Sequence, residues 1–420
     1  MTSSLILLIG TLLILILITG FKESRGSRPL FVFYLIWGFS LLMYLIGKCF
    51  NQINDLYILA EIDSISDRTS IFLVNANTLI FLGYFLINRI KITSKQKVTT
   101  ICNYKPVFLY KFLIYLVIVF FSIELVVNFK NFISPSNLYE LRTQEEAEGS
   151  FFSLVSVYLS IFVFPISIWQ ITSGKKKILN TIPILVLLII AFVNLSKYLI
   201  IFIFIFWVLH IILGVSGIYK NIINFKPLII KGVILISVVS SLITIMRLNG
   251  KEENSKKVSF FPIIFTYTSG YIPSFGNFYD EYSTNTTLST MPSYENYQNV
   301  KNRFGNQTFA GFYRLMQKLK IVKYGATVHY EGLFNVYTFY RDLITDFGIK
   351  VTYMICFLIG IITGLLNKLL NRENPIHLIY ITIITTILVF TLTYSLFGFT
   401  FIFLMLFSPK ILIQKTKLDD

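Results

Sequence analysis

The chain has 420 residues, of which 55% are hydrophobic and 14% are charged, and its mean hydropathy is +0.70. Apolar surface on this scale exceeds what a soluble core buries, so the composition excludes a water-soluble globule and predicts an all-α polytopic membrane protein. The formal charge of +16 does not indicate nucleic-acid binding, because membrane topology also concentrates Lys and Arg in short loops. Cys49, Cys102 and Cys356 lie far apart and match neither a disulfide framework nor a CxxC pair.

Eleven segments approach the length of about 20 residues that a helix needs to cross a hydrocarbon core of about 30 Å. The first lacks the basic flank of a secretory signal and is too long for its apolar region, so we expect a retained helix. The predicted helices lie at about 3–20, 30–47, 70–88, 107–127, 151–173, 178–194, 199–217, 228–246, 349–366, 376–393 and 396–409.

Lys and Arg in the short connections predict the orientation of these helices, because cationic loops stay on the cytoplasmic side. One set of alternate connections, with the C-terminal tail, carries 19 of these residues, and the other short connections carry five. We therefore expect the N-terminus outside and the C-terminus inside. The predicted parts are eight helices in 1–246, a large extracytoplasmic loop at 247–348, three helices in 349–409 and a cytoplasmic tail at 410–420.

The large loop is the one sizeable polar region, and it is rich in Tyr and Phe. The cytoplasmic connections are short and contain no Gly-rich phosphate-binding motif, which excludes an ATP-driven pump. Aromatic rings stack against sugars, so the loop is a candidate glycan platform, although the same rings also suit the core of a small folded cap. The candidate glycan-binding residues are Tyr271, Tyr279, Tyr330, Tyr337 and Tyr340.

Four arginines of this region are candidate ligands of a lipid-linked diphosphate. They are Arg247, Arg303, Arg314 and Arg341. A planar guanidinium binds two phosphate oxygens at once, and several converging near the bilayer surface would hold a diphosphate. Each one alone also fits a solvated or salt-bridged surface residue.

The loop also contains candidate general bases. His329 has the pKa range that suits proton transfer from a sugar hydroxyl at ordinary pH. Glu331, Asp342 and Asp280 are rival bases. Glu124 lies within a predicted helix, where an ionised side chain facing lipid is costly, so we expect it to face the bundle interior.

Three stretches and the overall layout resemble the Wzy-type oligosaccharide repeat-unit polymerases of bacterial O-antigen and capsule assembly. "NVYTFYRDLITDFG", Asn335–Gly348, is similar to the family's signature entering the helix after the large loop. "QTFAGFYRLM", Gln307–Met316, and "SGYIPSFGNF", Ser269–Phe278, are similar to segments upstream of it. The resemblance implies that the passage from His329 to Gly348 lines the mouth of an active site.

The resemblance further implies a glycosyltransferase at the outer face of the bacterial cytoplasmic membrane. It would transfer a growing glycan from its undecaprenyl diphosphate to a new lipid-linked oligosaccharide unit. The four arginines would stabilise the departing diphosphate, and His329 or a nearby carboxylate would take the proton. The implied partners are that glycolipid, membrane lipid and a chain-length regulator protein. No metal, nucleotide or other cofactor is implied.

Three other functions fit the same layout. A GT-C-type glycosyltransferase with a polyprenyl-phosphate-sugar donor would need an acidic metal motif, for which Glu61 and Asp63 have suitable spacing. An O-antigen ligase differs from the polymerase in its acceptor. A flippase for lipid-linked oligosaccharide belongs to a different class, but the chain lacks the halfway symmetry that is common in transporters.

Overall fold

The structure is a computed structural model in which a subset of the chain is described. The described residues are 3–21, 28–54, 65–90, 103–127, 151–175, 178–193, 197–214, 270–284, 338–369, 374–390 and 400–416.

Within the described residues the chain forms α-helices and one pair of short strands. The elements in chain order are α1 (Ser3–Phe21), α2 (Arg28–Asn54), α3 (Asp67–Arg89), β1 (Asn103–Pro106), α4 (Phe108–Val127), α5 (Phe151–Thr172), α6 (Ile178–Val193), α7 (Lys197–Gly214), α8 (Tyr271–Thr284), α9 (Phe339–Leu369), α10 (Pro375–Phe390), α11 (Thr400–Leu412) and β2 (Ile413–Thr416).

These helices make the chain an α-helical membrane protein. Among the described residues, α1 to α5 and α9 are long and apolar enough to cross a membrane, and α6, α7 and α10 are shorter apolar helices. Ten of the eleven predicted segments overlap a helix. The remaining segment, at 228–246, lies outside the described residues. α8 is a helix that the sequence did not predict, and it lies within the predicted large loop.

The prediction of an all-α fold needs one small correction. β1 and β2 form an antiparallel pair in which Asn103 lies opposite Thr416 and Pro106 lies opposite Ile413. The backbone N–H of Val107 extends the pairing by donating to the carbonyl of Leu412 at 2.9 Å. Each strand is only four residues long, so no periodic signal in the sequence marks it.

The chain divides into two compact units. The first unit comprises 1–93, 257–369 and 387–400, and the second comprises 94–256, 370–386 and 401–420. The first unit therefore contains α1, α2, α3, α8 and α9. The second contains the strand pair and most of the remaining helices.

In the first unit, α3 and α9 run parallel and approach each other closely at glycines. A Cβ atom on Gly83 would collide with the backbone of Phe357, and one on Gly360 would collide with the backbone of Ile80. Gly364 follows Gly360 by four residues and lies against the backbone of Tyr84. Small residues at this spacing let two membrane helices pack backbone to backbone. This contact anchors the second part of α9 to α3.

The N-terminus of α3 is fixed by a cap. Ser66 is extended, and its hydroxyl accepts a hydrogen bond from the backbone N–H of Thr69 at 3.1 Å. Such a cap satisfies one of the first N–H groups, which have no partner inside a helix. The capped end of α3 is the surface on which α8 packs. Gly276 of α8 lies 3.9 Å from Ile65, measured from the position its Cβ would take.

In the second unit, α4, α5 and α6 pack around Val117, Phe121, Val186 and Ile190. Glu124 of α4 is buried, as the sequence predicted, with only 3% of its surface exposed. Apolar packing and local polar contacts thus hold these three helices together.

Polar side chains also tie the helices of the second unit. The hydroxyl of Tyr110 donates to Asn180 at 3.1 Å and lies 3.0 Å from the hydroxyl of Ser167. Nδ1 of His210 lies 3.2 Å from the hydroxyl of Thr382. Hydrogen bonds of this kind hold membrane helices together because lipid offers no alternative partner.

Candidate functional site

The candidate site is described in part. Five of the predicted site residues are described: Tyr271, Tyr279, Tyr340, Arg341 and Asp342. All five belong to the first unit. The others lie outside the described residues, and they are Arg247, Arg303, Arg314, His329, Tyr330, Glu331 and Tyr337.

The helix α9 begins at Phe339, ten residues before the predicted start at 349, and it is broken at Gly348. Gly348 has φ 77° and ψ 169°, a backbone conformation that is essentially restricted to glycine. The break divides α9 into a short helix, Phe339–Phe347, and a longer one that follows Gly348. The predicted boundary between loop and membrane helix falls at this residue.

The short helix folds back along the longer one. The ring of Phe72 in α3 lies 5.6 Å from the ring of Tyr340 and 5.2 Å from the ring of Tyr353. In a continuous helix, 13 residues would separate the two tyrosines by about 20 Å along the axis. One phenylalanine ring contacts both because the chain turns at Gly348. We name Phe339–Phe347 the re-entrant helix.

Further contacts place the start of the re-entrant helix inside the bundle of the first unit. The ring of Trp37, in the middle of α2, lies 5.8 Å from the ring of Tyr340. The ring of Tyr340 also lies 4.3 Å from that of Phe339. Thr338, Phe339 and Tyr340 are all buried. The described start of the passage that was expected to line a site mouth, Thr338–Tyr340, therefore inserts among the helices of the first unit.

An aromatic cluster surrounds the start of the re-entrant helix. Its centre is Phe72, whose ring lies 5.5 Å from that of Phe275 and 4.8 Å from that of Tyr279. Phe275 in turn lies 6.0 Å from Tyr340. Tyr271, Tyr279 and Tyr340 are buried, so none of the three presents an open ring face to a sugar. In this conformation they serve as core residues that join α8 to α3 and α9.

The two phenols of α8 are neutral hydrogen-bonding groups. Burial raises the pKa of Tyr279 to about 12, and the neighbouring Tyr353 and Asp280 act in the same direction, against Arg68. Burial also raises the pKa of Tyr271, which a hydrogen bond with Ser40 partly opposes. Desolvation disfavours the phenolate form, so both groups keep their protons at any physiological pH.

Arg341 and Asp342 form an ion pair on the re-entrant helix. Nε and Nη2 of Arg341 both donate to Oδ1 of Asp342, at 3.2 and 3.0 Å. The two side chains are 14% and 16% exposed, so the pair is largely withdrawn from water. A candidate diphosphate ligand and a candidate base are thus bound to each other. Their mutual orientation is fixed by the first turn of the same helix.

Asp280 lies at the capped end of α3. Its carboxylate accepts hydrogen bonds from the hydroxyls of Ser66 at 2.5 Å and Thr69 at 3.3 Å. Ser66 is also the cap of α3, so one hydroxyl fastens the carboxylate and the helix end together. These bonds give Asp280 an evident structural role in holding α8 on α3.

Sequence reasoning missed three residues of this region. Phe72 is the centre of the aromatic cluster, Trp37 contacts the re-entrant helix, and Arg68 is an exposed cation beside Tyr279. The apolar segments around Trp37 and Phe72 gave no sign of which face would meet the loop. The sequence did contain a sign of Arg68, because this cation directly follows the Ser66-Asp67 helix start at the predicted outer end of α3.

Among the described residues, no group of three or more His, Cys, Asp or Glu side chains is placed to hold a metal ion. The chain matches no protein-family model, no curated protein and no solved structure.

Proposed function

We propose that the chain polymerises undecaprenyl-diphosphate-linked oligosaccharide repeat units into O-antigen or capsular polysaccharide at the outer face of the bacterial cytoplasmic membrane. A sugar hydroxyl of a new lipid-linked unit attacks the anomeric carbon of the growing glycan. A new glycosidic bond forms, and the bond from that carbon to the lipid diphosphate breaks. The hydroxyl proton passes to a base, and the diphosphate leaves as an anion.

The observation that carries the proposal is the ion pair of Arg341 and Asp342 on a helix that turns back into the bundle. A guanidinium that is already held in place can meet the diphosphate as it leaves, without the cost of ordering a long side chain. In this proposal Asp342 orients Arg341. The base is then His329 or Glu331, both of which lie on the segment that leads into the re-entrant helix.

Contacts within each unit agree with the alternation of helix ends in the proposed topology, because ends assigned to the same side of the membrane contact each other. In the first unit, Ser4 at the start of α1 donates to Asp67 at the start of α3, and both starts are predicted outside. Lys368 near the end of α9 donates to the carbonyl of Ile87 near the end of α3, and both ends are predicted inside. In the second unit, β1 and β2 pair, and both are predicted inside.

Reconstitution tests the proposal. Purified chain in liposomes that contain lipid-linked repeat units should produce a ladder of lengthened glycolipids. Arg341→Gln should leave single units, because the leaving diphosphate loses its cation. Arg89→Gln is the matched control, since Arg89 lies over the ring of Phe85 at the other end of α3, and it should keep the ladder. Movement of glycolipid across the bilayer without lengthening would identify a flippase and contradict the proposal.

A further inference from the structure

We propose that the buried start of the re-entrant helix is an anion site that binds phosphate oxygens of a prenyl diphosphate, with Trp37, Thr338 and Tyr340 as side-chain donors. The identity of the lipid rests on the proposed function. The site itself rests on the contacts of the described residues. It lies within the first unit, between α2, α3 and the two parts of α9.

The backbone supplies the first part of the site. The first N–H groups of an α-helix have no acceptor within the helix, and they carry the positive end of its dipole. The N–H of Arg341 donates to the carbonyl of Thr338 at 3.1 Å. This leaves the N–H groups of Phe339 and Tyr340 without an acceptor in their own helix. Broken membrane helices present such ends to anionic groups of substrates.

Three side chains supply the second, independent part. Nε1 of Trp37, Oγ1 of Thr338 and the hydroxyl of Tyr340 are buried and have no hydrogen-bond partner within the described part of the chain. Leaving one such group unsatisfied costs about 1–3 kcal/mol. Trp37 and Tyr340 are neighbours, because their rings lie 5.8 Å apart, and Thr338 precedes Tyr340 by two residues. In the proposed site, a bound group that offers acceptors would satisfy these donors.

The chemistry of the donors favours an anion over a sugar hydroxyl or a water molecule. The indole N–H of Trp37 and the backbone N–H groups can only donate, so the occupant must bring several lone pairs. Phosphate oxygens bring lone pairs and negative charge, which the helix dipole favours. Asp342 would repel an anion, but its charge is balanced by Arg341 at 3.0 Å. The prenyl chain of the ligand would extend into the surrounding lipid.

Tryptophan fluorescence of the full chain in detergent can test this site. The sequence contains three tryptophans, and replacing Trp169 and Trp207 by Phe leaves Trp37 as the reporter. Farnesyl diphosphate is the probe, with inorganic pyrophosphate and farnesol as comparison ligands. We expect a saturable change in Trp37 emission with farnesyl diphosphate, weak competition by pyrophosphate and no response to farnesol.

The variant Tyr340→Phe should weaken farnesyl diphosphate binding about tenfold, as expected for loss of one hydrogen bond to a charged group. Thr338→Val should act in the same direction. Tyr110→Phe is the control, because it makes the same change at a buried phenol of the second unit. It should leave the affinity unchanged.

Three results would overturn the site: no saturable response from folded protein, an equal response to farnesol, or unchanged affinity in both Tyr340→Phe and Thr338→Val. A stronger response to pyrophosphate than to farnesyl diphosphate would overturn the prenyl ligand. Binding without a polymerisation ladder would remove the proposed function and leave the anion site intact. A ladder without a fluorescence response from Trp37 would remove the anion site and leave the proposed function intact.

Discussion

Two buried tyrosines, one in each unit of the protein, differ in their hydrogen bonding. In the second unit, the hydroxyl of Tyr110 has two side-chain partners, Ser167 at 3.0 Å and Asn180 at 3.1 Å. In the first unit, the hydroxyl of Tyr340 is equally buried but has no partner within the described residues. A satisfied phenol fastens helices together. An unsatisfied one costs stability, so its retention points to a ligand.

The helices that carry these tyrosines also differ, in their continuity. Tyr110 belongs to α4, which has no interruption, whereas Tyr340 belongs to a helix that turns at Gly348. Close packing of α3 and α9 holds that broken helix in place. The first unit therefore combines a close glycine contact with an inserted, broken helix. Such segments are common where membrane proteins bind polar ligands.

The largest effect is expected at the glycine contact. Gly360→Ala should destabilise the first unit by more than about 3 kcal/mol, because the new methyl group collides with the backbone of Ile80 and cannot move aside. The fraction of monodisperse protein after heating in detergent measures this. Gly10→Ala is the control, since no neighbouring helix among the described residues comes within 4 Å of the position its Cβ would take. Equal heat resistance of the two variants would show that the helices do not touch there.

The turn of the re-entrant helix gives the next effect. Gly348→Ala should cost about 1–3 kcal/mol, because φ 77° with ψ 169° is accessible almost only to glycine. The same heating assay measures the loss, again beside Gly10→Ala. If Gly348→Ala behaves like that control, the chain does not adopt this conformation and the helix is continuous.

Replacing tyrosine by phenylalanine should affect stability differently at positions 110 and 340. Tyr110→Phe should lower stability by about 1–3 kcal/mol, because it leaves Asn180 without its donor. Tyr340→Phe should leave the stability of the ligand-free protein unchanged or slightly higher, because it removes an unsatisfied group. Thermal unfolding of both variants without ligand measures the two effects. A larger loss of stability for Tyr340→Phe than for Tyr110→Phe would contradict the prediction.

The smallest effect concerns the attachment of α8. Ser66→Ala removes the cap of α3 and one hydrogen bond to Asp280, and it should cost about 1 kcal/mol. Ser283→Ala is the matched control, because the hydroxyl of Ser283 is exposed and bonds only locally to the carbonyl of Asp280. Hydrogen exchange of α8 should accelerate in the first variant alone. Equal exchange in both would remove Ser66 from the attachment of α8.

The sequence predicted the membrane helices well because a long apolar run has few other stable forms in lipid. The segments at 70–88 and 107–127 differ by only a few residues from α3 and α4. The start of α9 was missed because Arg341, Asp342 and Asp346 interrupt the apolar pattern within a helical segment. Helical structure there depends on burial against α2 and α3, which composition does not reveal.

The predicted roles of Tyr340, Arg341 and Asp342 remain predictions. These consecutive residues were selected for their residue types, and the structure adds that Arg341 pairs with Asp342 and that Tyr340 is buried. The backward turn of the chain was not predicted, because Gly348 looks the same in sequence whether it ends a loop or reverses a helix. The pairing of β1 with β2 was missed because the two strands are about 300 residues apart in the chain.

The most direct test concerns the fold of the re-entrant helix, on which the proposed site depends. In a Cys49→Ser, Cys102→Ser background, Tyr340→Cys places one thiol opposite the native Cys356. A short bifunctional thiol reagent that enters membranes should link the two, because the ring of Phe72 contacts both Tyr340 and Tyr353, and Tyr353 lies one helical turn before Cys356. A continuous helix would hold them about 24 Å apart. Absence of the link in folded protein, with both thiols reactive to a permeant maleimide, would contradict the account.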